Sequence, residues 1–382
     1  MPQHRPRPGA WAGWALAVLG GIAAVGAAVL DPGSARSAAS QAWSPFVLVA
    51  GLLLIGLVAD EDRLFATAGR GLARLSRNGG VTFAGAVVLV ATVTAVLNLD
   101  TSVAFLTPVL VYTARSRGEG EARLLYGCLL LSNAGSLLLP GSNLTNLIVL
   151  GHLHLTGGRF LTRMWLPWVA AVVVTAGVVA LGERRSPRTA GAGSAAPDRP
   201  AVGLGLAAVG AAVVLVLALQ TPALPVAAVG VVAVAVRLIR GRERRDRVLE
   251  VLGLPVLIGL FGVAVALGTA GRVWSGPADL LAHLDQWATA AVAAGTSVLV
   301  NNLPAASVLA ARTPRHPFAL LVGLDLGPNL FVTGSLSWIL WLRAARAVGA
   351  RPSIIRASRL GALAVPLSMA AALGALALTG AR

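Results

Sequence analysis

The sequence predicts an all-α membrane protein with about nine transmembrane helices plus two re-entrant hairpins, arranged as two inverted-topology repeats with broken helices. Three observations predict it. Of 382 residues, 56% are hydrophobic and only 12% are charged, with a mean hydropathy of +0.78. A soluble core of this size could not hide that much apolar surface. Apolar runs of roughly 20 residues, enough to cross a bilayer core, recur along the whole chain. Two apolar stretches are interrupted at mid-length by polar knots, Asn98-Leu99-Asp100 and Asn301-Asn302-Leu303-Pro304.

Taken in order, full spans are expected at 10–30, 44–59, 124–151, 161–182, 201–219, 225–239, 252–271, 317–343 and 357–380. The first follows Arg5 and Arg7. It is longer than a usual signal core and is followed by further spans, so it reads as a retained first span; the small residues at 34–39 leave cleavage as the alternative. The stretches 81–114 and 287–312 carry the polar knots. Neither knot has flanking arginines or a turn-rich loop, so each reads as a hairpin returning to its own side. The expected division is 1–43, tail and first span; 44–182, first repeat with hairpin 81–114 and broken helix 124–151; 183–251, a cytoplasmic linker and connecting spans; and 252–382, second repeat with hairpin 287–312 and broken helix 317–343.

All 31 basic residues are arginines, and the net charge is +16. They cluster between apolar runs with no aromatic-interleaved basic face, which argues against nucleic acid. With the N-terminus in the cytoplasm and each hairpin returning to its side, 24 of the 31 arginines fall in cytoplasmic segments. That bias sets the orientation of a multi-pass protein of the cell membrane. In this layout the first hairpin enters from the cytoplasm and the second from outside, the inverted plan of many secondary transporters. Weak symmetry supports it: Asn133 aligns with Asp325, Gly135 with Gly327, and Gly141-Ser142 with Gly334-Ser335.

Asp100 and Asp325 are the two acidic residues expected inside the membrane, and they are read as occupying related positions in the repeats. An ionised carboxylate facing lipid costs about 2.5–3.5 kcal/mol even on the lenient scale, so such residues face a cavity, bind a cation or carry a proton. The plainer reading is a carboxylate capping a broken helix end. Gly135, Pro140 and Gly141 break the first long span, and Gly327, Pro328 and Gly334 the second. Unwound backbone in mid-bilayer must be satisfied or line a wet cavity. Asn98, Thr101, Ser142, Asn143, Thr145, Asn146, Asn301, Asn302, Asn329, Thr333 and Ser335 supply neutral polar groups beside the two carboxylates. No basic residue lies at the centre of these elements, which favours a neutral polyhydroxy solute, a cation, or an anion escorted by Na⁺.

Cys128 is the single cysteine, read as a packing residue. No metal or cofactor spacing is present, so no cofactor is expected. No H-E-x-x-H, G-x-S-x-G or clustered acidic pair points to an enzyme. Trp11, Trp43, Trp165, Trp168 and Trp287 read as an interfacial aromatic belt, and His152, His154, His283 and His316 as surface residues at span ends.

At its motifs the chain resembles the arsenite efflux permeases, within the larger ion transporter superfamily of sodium/proton antiporters and dicarboxylate symporters. The resemblance rests on Val300-Asn301-Asn302-Leu303-Pro304 and on Gly323-Leu-Asp-Leu-Gly-Pro-Asn-Leu-Phe-Val-Thr-Gly-Ser-Leu-Ser-Trp-Ile-Leu-Trp341. In the first half it rests on Asp100 through Thr107-Pro108 and on Ser142-Asn143-Leu144. Leu99 stands where the family has an Asn, with Asn98 one place earlier. The resemblance implies a scaffold and a mobile domain working by an elevator-like movement. It also implies export of arsenite or antimonite, by proton exchange or with a soluble ATPase; a homodimer is the other protein partnership expected. One cysteine cannot make a three-thiolate As(III) site, so arsenite would be handled as neutral As(OH)₃. The alternative is a Na⁺/H⁺ antiporter or a (di)carboxylate or inorganic anion transporter on the same scaffold.

Overall fold

The computed structural model describes residues 10–75, 78–151, 153, 155–183, 203–241 and 245–379. Of the expected linker at 183–200, residues 184–200 lie outside the described residues, as do His152, His154, Arg5 and Arg7. Every regular element described is helical, and six helices are long and apolar enough to cross a membrane.

Ala10–Leu30 (α1) lies chiefly against one later helix, with Gly20 backing onto Gly259 and Gly262 so closely that neither side has room for a Cβ, and also touches the helix that follows it. There follow Pro32–Glu61 (α2), Leu64–Leu75 (α3), Gly79–Val96 (α4), Leu99–Ser116 (α5), Ala122–Gly135 (α6), a 3₁₀ turn at Pro140–Ser142, Leu144–Leu150 (α7) and Gly157–Gly182 (α8). Leu204–Ala218 (α9), Ala223–Ile239 (α10) and Arg245–Leu252 (α11) connect to the second half. That half runs Leu254–Val273 (α12), Gly276–His283 (α13), Gln286–Val300 (α14), Asn302–Leu309 (α15), Pro317–Leu326 (α16), a 3₁₀ turn at Gly327–Leu330, Leu336–Ala347 (α17) and Ile354–Leu378 (α18). From α2 to α8 and from α12 to α18 the order is the same: long helix, short helix, hairpin, half-helix, 3₁₀ turn, half-helix, long helix.

Polar contacts sort the loops into two ends. At one end Arg247 pairs with Asp60 and Glu61, Arg237 with Asp62, and Arg356 with Glu183. There Arg117 donates to Ala73 O and Arg115 to Val348 O. At the other end Arg272 donates to Gln41, Arg312 to Arg272 O and Arg315 to Ala282 O. The arginine-rich end therefore gathers the segments that the charge bias assigns to one side. Gly79 lies against Glu119, so the first hairpin starts and finishes at this end. The Arg315–Ala282 bond places the start and finish of the second hairpin at the opposite end. By the same contacts α7 finishes beside Gln41 and α17 beside Arg115. The two halves run in opposite directions.

Three expectations change. The second helix begins at Pro32, not near 44, because Asp31 caps it through Ser34 N and Pro32 sits in its first turn. The loops expected before and between spans contain the short helices α3, α11 and α13. In α3 the apolar side is buried, Phe65 stacking on Phe105 at 5.4 Å, while Arg74 stays exposed. Finally, Asp100 and Asp325 are not related by the repeat. Asp100 sits two residues after the cap Asn98 of α5, where α15 has Leu303 after its cap Asn301. Asp325 lies at the end of α16, where α6 has Asn133.

Candidate functional site

The site is built where the two broken helices cross. α6 stops at Gly135, which packs directly on Ala91 and Thr94 of α4, and α16 stops at Gly327, which packs on Ala294 of α14. An added Cβ would lie 2.5 Å from Ala294 Cα at Gly327, which only glycine permits, and 3.2 Å from Ala91 and Thr94 at Gly135, a tight fit. Each break frees carbonyls that water cannot reach, and side chains cap them. Ser142 Oγ donates to Ser136 O and Leu139 O. Asn146 Nδ2 donates to the same two carbonyls at 2.8 and 3.3 Å. Trp168 Nε1 donates to Gly135 O at 3.2 Å and Trp338 Nε1 to Pro328 O at 2.8 Å. Trp168 is therefore a capping side chain at a helix break rather than a belt residue, whereas Trp11, Trp43, Trp165 and Trp287 are exposed.

Asp325 is fully buried. Its Oδ1 accepts from Asn143 Nδ2 at 2.8 Å and from Thr145 Oγ1 at 3.0 Å, both in the opposite repeat. Asn143 is also the cap of α7, its Oδ1 accepting from Thr145 N. Ser136 and Asn146 border the same carboxylate, whose Oδ2 has no protein donor. A second bridge joins the repeats nearby. Asn329 Nδ2 donates to Leu130 O at 3.0 Å, and Asn329 Oδ1 accepts from Asn133 Nδ2 at 2.8 Å. Asn143, Thr145, Asn146, Asp325 and Asn329 thus come together, with Ser142 beneath them.

The hairpin residues stand apart from this cluster. Asn98 caps α5, its Oδ1 accepting from Thr101 N at 2.7 Å. Thr101 is buried against Gly56 of α2, and Asp100 is partly exposed with no protein hydrogen bond among the described contacts. Ser102 and Ser132 hydroxyls meet at 3.3 Å, which sets the first tip level with the end of α6. At the second tip Asn301 adopts φ +81 and donates to Thr333 O at 3.1 Å, while Asn302 N donates to Gly334 O at 2.8 Å. Thr333 is exposed, and Ser335 shares a bond with Ser337. Each tip therefore lies beside a break.

Asn133 and Ser136 belong to the central cluster but are absent from the residues the sequence reading selected. Asn133 was visible there only as the aligned partner of Asp325, and that alignment is the signal that could have found it.

A model of the citrate transporter family matches residues 11–332. The chain is 27% identical over 366 residues to the arsenical pump membrane protein of Escherichia coli K12, covering 86% of this chain and 85% of that protein. The same identity and shares hold for the protein of that name from Shigella flexneri. The one from Yersinia enterocolitica is 24% identical over 364 residues, with the same shares. Among solved structures it is similar to the YdaH transporter of Alcanivorax borkumensis, at 17% identity and a TM-score of 0.52, covering 91% of this chain and 87% of that one. That likeness shows the fold, and the relatives are membrane transporters, not enzymes. On the family match and the crossed broken helices together, the chain belongs to the citrate transporter family.

Proposed function

We propose that this transporter exports arsenite or antimonite in exchange for protons, by an elevator-like movement of the hairpins and broken helices. The observation that carries the reading is the cross-repeat environment of Asp325, a fully buried carboxylate bordered by neutral amides and hydroxyls. A multivalent anion such as citrate would meet a carboxylate there and no compensating cation, an expensive pairing in a low dielectric. Arsenite at neutral pH is the uncharged As(OH)₃, whose hydroxyls suit amide and hydroxyl partners. Cys128 is buried against Thr107, so thiolate capture is not required of the site. Asp325 is assigned the proton-carrying role. Asp100 at the first tip is a second carboxylate, available to a coupling H⁺ or Na⁺.

Opposite orientation of the halves supports alternating access, because two such halves can exchange roles about a central site. The curated relatives' names support the substrate. The second reading, a Na⁺-coupled carboxylate transporter, is favoured by the family's name. Under both, the N-terminus and the arginine-rich end face the cytoplasm of a cell-membrane protein. A soluble ATPase partner and a homodimer remain part of the first reading. The deciding measurement is uptake into inside-out vesicles of arsenite, citrate and Na⁺ under an imposed pH gradient. Arsenite accumulation driven by the gradient is expected; Na⁺-dependent citrate movement with no arsenite uptake would replace the proposal.

A further inference from the structure

The central cluster has a polarity of its own. Among the described buried side chains, the oxygens that accept yet have no donor are Asn133 Oδ1, Asn146 Oδ1 and, in the ionised form that has released its proton, Asp325 Oδ2. The amide orientations are fixed by their neighbours. Asn329 Nδ2 faces Leu130 O, so its Oδ1 must receive Asn133 Nδ2, which turns Asn133 Oδ1 away unpaired. Asn146 Nδ2 faces Ser136 O and Leu139 O, leaving its Oδ1 bare. Asp325 Oδ1 accepts from Asn143 and Thr145, while Oδ2 meets no donor at hydrogen-bond distance although Ser136 and Asn146 border the carboxylate. Ser136, bordering Asp325 as Asn146 does, lies one turn after Asn133 and donates to its backbone carbonyl, so the three side chains share neighbours.

A buried acceptor without a donor is costly, and a ligand that supplies the donor recovers that cost. Two ligand classes do so, a bare cation or a multiple hydrogen-bond donor. A cation needs a fuller oxygen cage than three side-chain atoms. The break carbonyls that could complete it are engaged: Ser136 O and Leu139 O each receive two side-chain donors, and Gly135 O receives Trp168.

Resting on the arsenite reading, we propose that Asn133, Asn146 and Asp325 form a three-acceptor site that selects a neutral trihydroxide by receiving one O–H on each oxygen. Asn133 is then a substrate-binding residue, and Asn329 acts through it as a positioning residue.

The test compares equilibrium binding of arsenite, As(OH)₃, with monomethylarsonous acid, CH₃As(OH)₂, to the purified full chain carrying Cys128→Ala. One missing donor leaves one buried acceptor unpaired, so the unmodified site prefers arsenite by about fivefold or more. Asn133→Leu and Asn146→Leu each bring that preference toward unity, whereas a merely structural role would weaken both ligands alike. Equal binding of the two ligands to the unmodified site overturns the proposal, and needs no variant to fold. So does a preference unchanged in both variants, or competitive displacement of arsenite by Na⁺. Citrate binding with no arsenite binding would instead sink the functional reading itself.

Discussion

Asn143 donates a 2.8 Å hydrogen bond to Asp325 although 182 residues separate them. Asn143 caps one half of the first broken helix, and Asp325 ends one half of the second. The bond therefore fixes the crossing of the two breaks, and it makes the carboxylate answer to both repeats.

Replacing Asp325 by Asn keeps an oxygen for Thr145 but removes the charge and the proton-carrying group. Flux in proteoliposomes is expected to vanish while the protein remains monodisperse on gel filtration. Asp100→Asn, at a position without a protein hydrogen bond, is expected to stop coupled flux with even less effect on folding. Wild-type flux from both variants would remove the carboxylates from the mechanism.

Gly361 of α18 passes so close to Asn329 that an added Cβ would lie 1.8 Å from its carbonyl oxygen. Gly361→Ala must push α18 away from the second 3₁₀ turn. Overpacking of this kind costs about 1–3 kcal/mol. A lowered unfolding temperature together with weakened flux is expected, because the displaced turn carries Asn329 and hence Asn133.

Trp338→Phe retains the ring packing against Trp341 and deletes the donor to Pro328 O. Losing the partner of a buried acceptor costs about 1–3 kcal/mol. Thermal unfolding should register the loss. An unchanged melting temperature would mean that the carbonyl finds another donor.

Cys128 is buried, so a membrane-impermeant maleimide reports on introduced cysteines alone. Arg346→Cys, at the arginine-rich end, should label in inside-out vesicles. Ser275→Cys, at the opposite end, should label in right-side-out ones. The reverse pattern would invert the orientation drawn from the charge bias.

The breaks were legible because glycine and proline inside a long apolar run have one physical meaning, and the asparagines beside them another. The placement of arginines marked the segments that gather at one end. What escaped was packing. A short helix such as α3 gives no span-length signal, and its apolar face is defined only by the Phe105 and Val109 it lies against. Asn133 looks like any polar residue in an apolar helix until Asn329 arrives from the other repeat. The capping role of Trp168 likewise depends on where α8 crosses the end of α6.

The second leg of each hairpin packs on the far half-helix of the opposite repeat, α5 against α17 and α15 against α7. The halves are thereby threaded through one another like clasped hands. In the proposed elevator-like movement these two seams would carry parts of both repeats together as one interleaved block. Exchanging one half for that of a distant relative would disturb both of these seams at once.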